Sequence, residues 1–168
     1  MAELTTRERR QPCLLDRLTD DEPGVTQESR DRRVISVAQL RRGVLRDMEW
    51  LLNSSCRLTP EEAEEFPLAA ASVINYGLPD LCGLTASSVD PGQIERMVQN
   101  AILTFEPRIM RRTVSVSAVA HPDEMGPNAV AFVIKGQLWA QPMPEPLYVK
   151  TDVDLETGHC AVEDRPNG

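Results

Sequence analysis

Apolar residues recur at steps of three and four in a stretch that begins after Ser36 and ends near Asn53. Ser36 and Gln39 stand at the spacing of a capping box, which marks a helix N-terminus, and Ile35 with Leu40 supplies the hydrophobic staple around it. The pattern predicts a long amphipathic helix whose apolar face enters the core. This face comprises Val37, Leu40, Val44, Met48, Leu51 and Leu52.

The polar side of this helix is rich in charge. We expect a solvated face there, with a binding site as the alternative, for Arg41, Arg42, Arg46, Asp47 and Glu49. Gly43 lies among these residues, and a glycine inside a helix costs about 1 kcal/mol relative to alanine. Its presence predicts that another backbone packs closely at that point.

A second long helix begins at Asp90. Asp90 is the expected N-cap, Pro91 occupies the first helical position, and Gln93 stands at the capping-box spacing. Val89 and Ile94 supply the staple. The helix has an uninterrupted apolar face that comprises Ile94, Met97, Val98, Ala101, Ile102 and Phe105.

Shorter and less regular segments flank the first long helix. Residues 60–65 form an acidic stretch, and Pro67 is expected to start a short helix through Asn75 that Gly77 ends. Before the first long helix, a helical pattern near residues 13–20 is too short to be stable alone. We therefore expect it to dock, either on its own domain or in the groove of a partner.

After Arg108 the period of the apolar pattern changes from helical to two, which is typical of β-strands. Alternation predicts three strands around residues 114–118, 130–138 and 147–155, and a turn then leads into a short fourth strand at 159–163. Because consecutive strands follow one another closely in the sequence, the pattern indicates an antiparallel meander.

Helices first and strands second predict an α+β fold, with two long amphipathic helices plus a short one packed on one face of a small antiparallel β-meander of three to four strands. The domain is expected to span residues 34–163, after a flexible arm at 1–33 and before a disordered tail at 164–168. An extended, unpaired connector that holds the last hairpin somewhat apart is predicted from Pro142, Pro144 and Pro146.

The second long helix runs directly into the sequence Glu106-Pro107-Arg108. Pro107 disfavours the helical conformation of Glu106, so the helix should end near Phe105 and the chain should continue extended. The carbonyls of the helix C-terminus repel Glu106 unless a cation compensates its charge. Since residues i and i+2 of an extended chain share a face, Glu106 and Arg108 are expected side by side, as an ion pair or a paired docking point.

The chain has 168 residues, a formal net charge of -8 and an aromatic content of 4%. This length accommodates one domain with a modest core, and the negative charge argues against nucleic acid as the main ligand. Residues 1–46 hold ten arginines against eight acidic residues, net +2, which leaves -10 on the rest. An arginine-rich arm on an acidic body suits contacts with more than one protein surface. No apolar run approaches the ~18 residues of a membrane span, so we expect a soluble protein.

The four cysteines are Cys13, Cys56, Cys82 and Cys160. They show no C-x-x-C spacing and follow no hydrophobic secretion segment, so they are expected to be reduced in the cytosol. A zinc site is conceivable, but its neighbouring ligands would lack the usual spacing. It would be built from His121, His159, Cys82 and Cys160. We expect neither a metal nor a cofactor.

Six segments of the chain carry a family resemblance when they are taken together and in order. They are LLDRL at 14–18, LRDMEWLLN at 45–53, SVINYGLPDL at 72–81, FEPR at 105–108, GQLWAQP at 136–142 and LETG at 155–158. Each is weak alone, but in this order they closely resemble TssE, the small baseplate subunit of bacterial type VI secretion systems. That family is related to the sheath-initiating wedge protein of contractile phage tails.

The resemblance implies a structural role in the cytoplasm, within a baseplate docked at an inner membrane complex. The subunit would join the baseplate wedge subunits TssF, TssG and TssK and would nucleate the contractile sheath of TssB and TssC, without contacting nucleic acid or inserting into a membrane. Pairing through strand edges would suit such a role. The candidate interface residues are Glu106, Pro107, Arg108, Leu14, Leu15, Leu18, Tyr148, Lys150 and Asp152.

The alternative from another class is a lysozyme-like peptidoglycan hydrolase that uses Glu106. Glycoside hydrolysis requires two carboxylates across a cleft, one of them protonated, whereas an adjacent Arg108 favours the ionised carboxylate. Asp80 and Asp90 are candidate second carboxylates, but both have ordinary roles in a turn and as an N-cap. A soluble adaptor that docks a regulator is a third interpretation. We expect a non-enzymatic scaffold with no catalytic residue.

Overall fold

Helices occupy the first part of the chain and strands the second in the computed structural model, which describes residues 13–19, 23–24, 35–80, 90–119, 129–140 and 143–165. The α-helices are α1 (Leu14–Leu18), α2 (Val37–Leu52), α3 (Pro60–Glu65), α4 (Pro67–Ala70) and α5 (Pro91–Phe105). The strands are β1 (Ser115–Val119), β2 (Ala129–Leu138), β3 (Glu145–Asp154) and β4 (Cys160–Asp164). The predicted α+β class is confirmed.

Helix α2 begins with the predicted capping box. The Ser36 hydroxyl accepts from the Gln39 N–H at 3.2 Å, and the Gln39 side chain accepts from the Ser36 N–H at 2.8 Å. Two N–H groups that the first helical turn leaves without partners are thereby satisfied. The buried residues of α2 fall on the predicted apolar face: Leu40, Val44, Met48, Leu51 and Leu52.

Helix α5 begins at the predicted N-cap with a different bond. The Asp90 carboxylate accepts from the N–H of Gly92 at 3.0 Å, while the N–H of Gln93 donates to the Asp90 carbonyl at 2.9 Å. The short aspartate side chain thus caps the second helical residue, and the expected capping box with Gln93 is not seen. Val89 of the predicted staple lies outside the described residues. Four positions of the predicted face are buried: Ile94, Val98, Ala101 and Ile102.

The segment between α2 and α5 corrects two expectations. The acidic stretch is helix α3, which opens on a capping box between Thr59 and Glu62. The helix that starts at Pro67 is α4, and it ends at Ala70 instead of continuing to Asn75. It ends there because the Ser72 hydroxyl donates to the carbonyl of Ala69 and a 3₁₀ turn follows. Gly77 then adopts a φ of 127°, and a Cβ there would lie 2.2 Å from the carbonyl oxygen of Ser54.

The four strands form one antiparallel sheet in the order β1-β2-β3-β4, which is the predicted meander. Ile134 of β2 pairs with Val116 of β1 and with Val149 of β3, so all three side chains share the core face. The core combines this face with the apolar faces of α2 and α5. The fully or nearly fully buried side chains include Phe132, Met48, Leu51, Ile94, Ile102, Ile134, Leu138 and Leu147.

The expected separation of the last hairpin is wrong. Strand β3 pairs with β2 from Leu138 opposite Glu145 to Ala129 opposite Asp154, and Pro146 itself belongs to the strand. Pro146 lies opposite Gln137 in the sheet. The N–H of Gln137 donates to the Thr113 hydroxyl, and its carbonyl accepts from a backbone N–H of the loop before β1. Since Gln137 directs both groups away from β3, the missing N–H of proline costs no ladder bond.

Strand β4 extends one residue beyond the expected domain boundary at residue 163. Asp164 ends β4 and binds the Arg41 guanidinium through both oxygens, at 2.6 and 2.7 Å. The N–H of Arg165 donates to the Tyr148 carbonyl at 3.0 Å. Both residues thus make hydrogen bonds to the rest of the domain. Within the described ranges, no helix has the length and apolarity to cross a lipid bilayer.

Candidate functional site

The segment after α5 turns back on itself. Helix α5 ends at Phe105, as predicted, and Glu106 leaves the helical region with φ -116° and ψ 81°. The N–H of Ile109 then donates to the Glu106 carbonyl at 3.3 Å. The expectation of an extended chain is wrong, because the fixed φ of Pro107 suits the second position of a β-turn.

The turn brings Glu106 and Arg108 together, as expected from the sequence. One carboxylate oxygen of Glu106 accepts from the Arg108 N–H at 3.0 Å and from its Nε at 2.7 Å, and the other oxygen pairs with Nη2. Glu106 is only 5% exposed, whereas the Arg108 side chain is partly exposed. The arginine is the member of the pair that reaches the surface.

Helix α2 supplies a second carboxylate to the same arginine. Asp47 Oδ2 lies 2.7 Å from Arg108 Nη2. Burial alone would lower the pKa of Arg108, but hydrogen bonds and charge attraction from Glu106 and Asp47 outweigh it and raise the pKa above its usual value. The expectation of a solvated face is wrong for Asp47. One feature of the sequence does indicate that Asp47 faces the protein: it lies three residues after Val44 and four before Leu51, on the apolar stripe of α2.

The neighbouring Arg46 connects this cluster to helix α1. Its guanidinium lies 2.6 Å from Asp16 Oδ1 and 2.8 Å from Asp47, and it stacks over the Trp50 ring. The Cys13 thiol donates to Asp16 Oδ2 at 3.0 Å. Hydrogen bonds from Cys13 and Arg46 lower the pKa of Asp16, in spite of partial burial. The expectation of a solvated face thus also fails for Arg46.

Helix α1 docks on its own domain through polar groups, while its leucines face outward. Leu14, Leu15 and Leu18 are 70%, 45% and 74% exposed. Of the two docking modes that the sequence left open, the contact in cis is present through Asp16, and the leucines remain available to a partner.

Several of the segments that carry the family resemblance meet at this cluster. The Tyr76 hydroxyl donates to the Asp47 carbonyl at 3.2 Å, and its ring packs edge-on against Phe105. The Arg108 carbonyl accepts from the N–H of Trp139 at 2.7 Å. Asp16, Asp47, Tyr76, Arg108 and Trp139 each come from a different segment. We call the charged group of Asp16, Arg46, Asp47, Glu106 and Arg108 the ionic cluster.

Tyr148, Lys150 and Asp152 lie apart from the ionic cluster's residues in sequence and share the sheet face opposite the helices. Lys150 Nζ lies 3.3 Å from Asp152 Oδ2, and Lys135 stacks over the Tyr148 ring. Their backbones are not at an edge, because β3 lies between β2 and β4. Only the side chains of these three residues can face a partner.

Strand β4 forms one edge of the sheet. The Arg165 N–H and the His159 carbonyl both bond to β3, so alternate residues of β4, beginning with Cys160, direct their groups outward. The Asn53 side chain accepts from the Cys160 N–H at 2.9 Å and donates to its carbonyl at 2.8 Å. Among the described residues, the outward groups of Val162 and Asp164 have no backbone partner.

At the opposite edge of the sheet, side chains of α5 bond to outward groups on both sides of Val116. Glu95 accepts from the N–H of Ala118 at 2.6 Å, and Gln99 donates to the carbonyl of Val114 at 3.0 Å. An edge that already has such bonds is a poor template for an added strand. The end of β4 is therefore the more accessible site for strand addition.

Two observations within the described residues concern the hydrolase and zinc interpretations. Both oxygens of Glu106 accept from Arg108, and a cavity of about 550 Å³ beside Trp50 is lined by other residues, including Glu49 and Asp80. No group of three or more metal-ligating side chains occurs within the described ranges, from which His121 and Cys82 are excluded.

A family model described as baseplate wedge protein gp25 matches residues 38–143, which is more than half of the chain. The match includes Asp47, Tyr76, Glu106 and Arg108, whereas α1, β3 and β4 lie outside it. No curated protein and no solved structure matches the chain.

Proposed function

The chain belongs to the baseplate wedge protein gp25 family, the family of TssE, and from this premise we propose that it joins wedge subunits of a type VI secretion baseplate and nucleates the contractile sheath. Membership indicates a structural protein of a phage-baseplate type, which assembles with other baseplate subunits. Three points are proposals: that the baseplate belongs to a secretion system, that this chain joins the named subunits, and that it starts the sheath.

The observation that carries the sheath role is the contrast between the two sheet edges. On β1, side chains of α5 bond to outward groups on both sides of the open Val116, whereas on β4 Asn53 bonds only to the first outward position. Among the described residues, Val162 and Asp164 are therefore two successive positions that offer their backbone groups. A strand of a TssB or TssC subunit would add there by β-augmentation, in which main-chain bonds supply affinity and side chains supply specificity. Tyr148, Lys150 and Asp152 would contact the same sheath subunit from the adjacent sheet face.

The wedge role is assigned to α1 and the ionic cluster. The exposed leucines Leu14, Leu15 and Leu18 form an apolar face on α1, and Arg108 reaches the surface beside them through the ionic cluster. Apolar anchors next to an arginine are typical of interface centres. TssF, TssG and TssK are the proposed partners there, with Glu106 and Pro107 holding Arg108 in position.

A proline at the free edge tests the sheath role. Val162→Pro removes an outward N–H and leaves every bond between β3 and β4 in place, and Val162→Ala is the matched control that shortens the side chain but keeps the N–H. We expect both variants to melt cooperatively and to co-purify with the wedge subunits. Only the alanine variant should start sheath polymerisation when TssB and TssC are added. Equal sheath assembly by the two variants would refute strand addition at β4.

A further inference from the structure

Helix α1 is held on the domain mainly through polar groups. None of its residues is buried, and Leu14 and Leu18 are 70% and 74% exposed. Its main contact with α2 is the Asp16 carboxylate, which lies 2.6 Å from Arg46 and accepts from the Cys13 thiol, while Arg46 also donates to the Cys13 sulfur at 3.6 Å. A partly exposed ion pair of this kind contributes little to stability and weakens in salt. The docking of α1 should therefore be reversible.

Arg46 and Arg108 both face the place that Asp16 occupies. A Cβ on Gly43 would lie 3.6 Å from Asp16 Oδ2 and 3.8 Å from Arg108 Nη1, so both groups approach the same bare point on α2. Arg108 uses Nε and Nη2 for Glu106 and Asp47. In the part of the chain that the structure describes, Nη1 donates to no acceptor.

We propose that Arg46 and Arg108 form a carboxylate-binding site over Gly43, that Asp16 fills this site in the free chain, and that an acidic segment of a partner protein displaces Asp16 and releases α1. Arginine donors in this arrangement suit a carboxylate, and Asp16 shows the geometry that one adopts there. Release would detach the helix that carries the exposed leucines and would free the two guanidinium groups in the same step. Only the identity of the partner as a baseplate subunit rests on the proposed function.

The test uses the isolated full-length protein and the amide NMR signal of Gly43, which lies beneath Asp16. Asp16→Asn should move this signal to the position of the released state, while amide signals of core residues such as Ile102 and Val149 stay unchanged. Adding a (Glu-Gly)₅ peptide at constant ionic strength should move the wild-type signal along the same line and saturate. The neutral (Gln-Gly)₅ peptide should leave it in place.

Two arginine variants locate the site. Arg46→Gln should start at the released position and should bind the acidic peptide at least about tenfold more weakly, as the loss of one charge-assisted hydrogen bond predicts. Arg42→Gln, an exposed neighbour on the same helix, should behave as wild type. The proposal is overturned if Asp16→Asn leaves the Gly43 signal unmoved, if the two peptides act alike, or if Arg42→Gln weakens binding as much as Arg46→Gln. Because this experiment contains no other subunit, none of these outcomes bears on the sheath role, which the Val162→Pro variant tests separately.

Discussion

Asp47 and Arg108 lie 61 positions apart in the sequence, and their side chains meet at 2.7 Å. This bond fastens α2 to the turn that joins α5 to the sheet. Because the same guanidinium also binds both oxygens of Glu106, one cation compensates two carboxylates at the junction of three elements. A partner that contacts Arg108 would therefore meet a guanidinium whose position is fixed by these bonds.

Removal of Glu106 should destabilise the domain more than removal of Asp47. Glu106→Ala leaves a half-buried guanidinium without its main partner, for which we expect a loss of about 3 to 5 kcal/mol in the free energy of unfolding. Asp47→Ala should cost about 1 to 2 kcal/mol because the Glu106 pair remains. Urea denaturation measures both, and Glu163→Ala at the exposed Arg165 pair is the control. Similar small losses in all three variants would contradict a fastening role.

Gly43→Ala should stabilise the protein. The new Cβ would meet Asp16 and Arg108 at ordinary contact distances of 3.6 and 3.8 Å, and alanine favours the helix by about 0.5 to 1 kcal/mol. Gly43→Leu should instead push α1 off α2, and hydrogen exchange of residues 13–19 should then rise. The prediction fails if alanine already lowers the melting temperature.

The double change Leu15→Asp with Leu18→Asp should leave the free energy of unfolding within about 0.5 kcal/mol of wild type, because both side chains are exposed. Co-purification with the wedge subunits should fall sharply. A single Leu51→Asp, in the buried face of α2, serves as the destabilising reference. Undiminished co-purification of the double variant would remove α1 from the interface.

Asn53→Ala should expose the covered part of β4. Cys160 would lose the partners of its N–H and carbonyl, at an expected cost of about 1 to 3 kcal/mol, and the longer free edge should promote self-association. Sedimentation velocity at increasing concentration detects the association. Asn53→Asp, which keeps the acceptor and loses the donor, should fall between alanine and wild type.

Cys160 should make the protein less stable at alkaline pH. Burial raises the pKa of its thiol from 9.0 to about 12. The unfolded chain thus loses this proton near pH 9 while the folded chain retains it, so the stabilisation is complete below pH 9 and is lost as pH rises toward 12. The advantage of wild type over Cys160→Ala, measured by urea denaturation in reductant, should shrink by up to about 1.4 kcal/mol per pH unit. The prediction would be contradicted if the difference in the free energy of unfolding between wild type and Cys160→Ala stayed unchanged from pH 7 to 11.

Local patterns were sufficient to predict the elements that bury apolar side chains. The capping residues of α2, the apolar face of α5 and the alternation of Val130, Phe132 and Ile134 are all properties of neighbours in the sequence. The pairing of Glu106 with Arg108 was predictable for the same reason, although a turn, and not an extended chain, brings them together.

The misses involve partners that are distant in the sequence. The partners of Asp47 and Arg46 lie on the α5 turn and on α1, which the local pattern of α2 does not indicate. Pro146 is tolerated in β3 because of the direction of the Gln137 backbone groups, which the sequence around the prolines does not indicate. No local pattern indicates that the amide of Asn53 covers Cys160.

Asn53 also limits how an added strand can align. Both outward groups of Cys160 are already bonded, so a strand that shifted toward the β3–β4 turn would have to break two hydrogen bonds before it made new ones. A shift in the opposite direction would lose the hydrogen bonds to Val162 and leave only those to the last residue of β4. If a neighbouring subunit adds a strand as proposed, one side chain at the end of α2 would thus select a single register for it. In a helical polymer each later copy repeats the geometry of the first contact, so this amide would set the rotational phase of everything built on it.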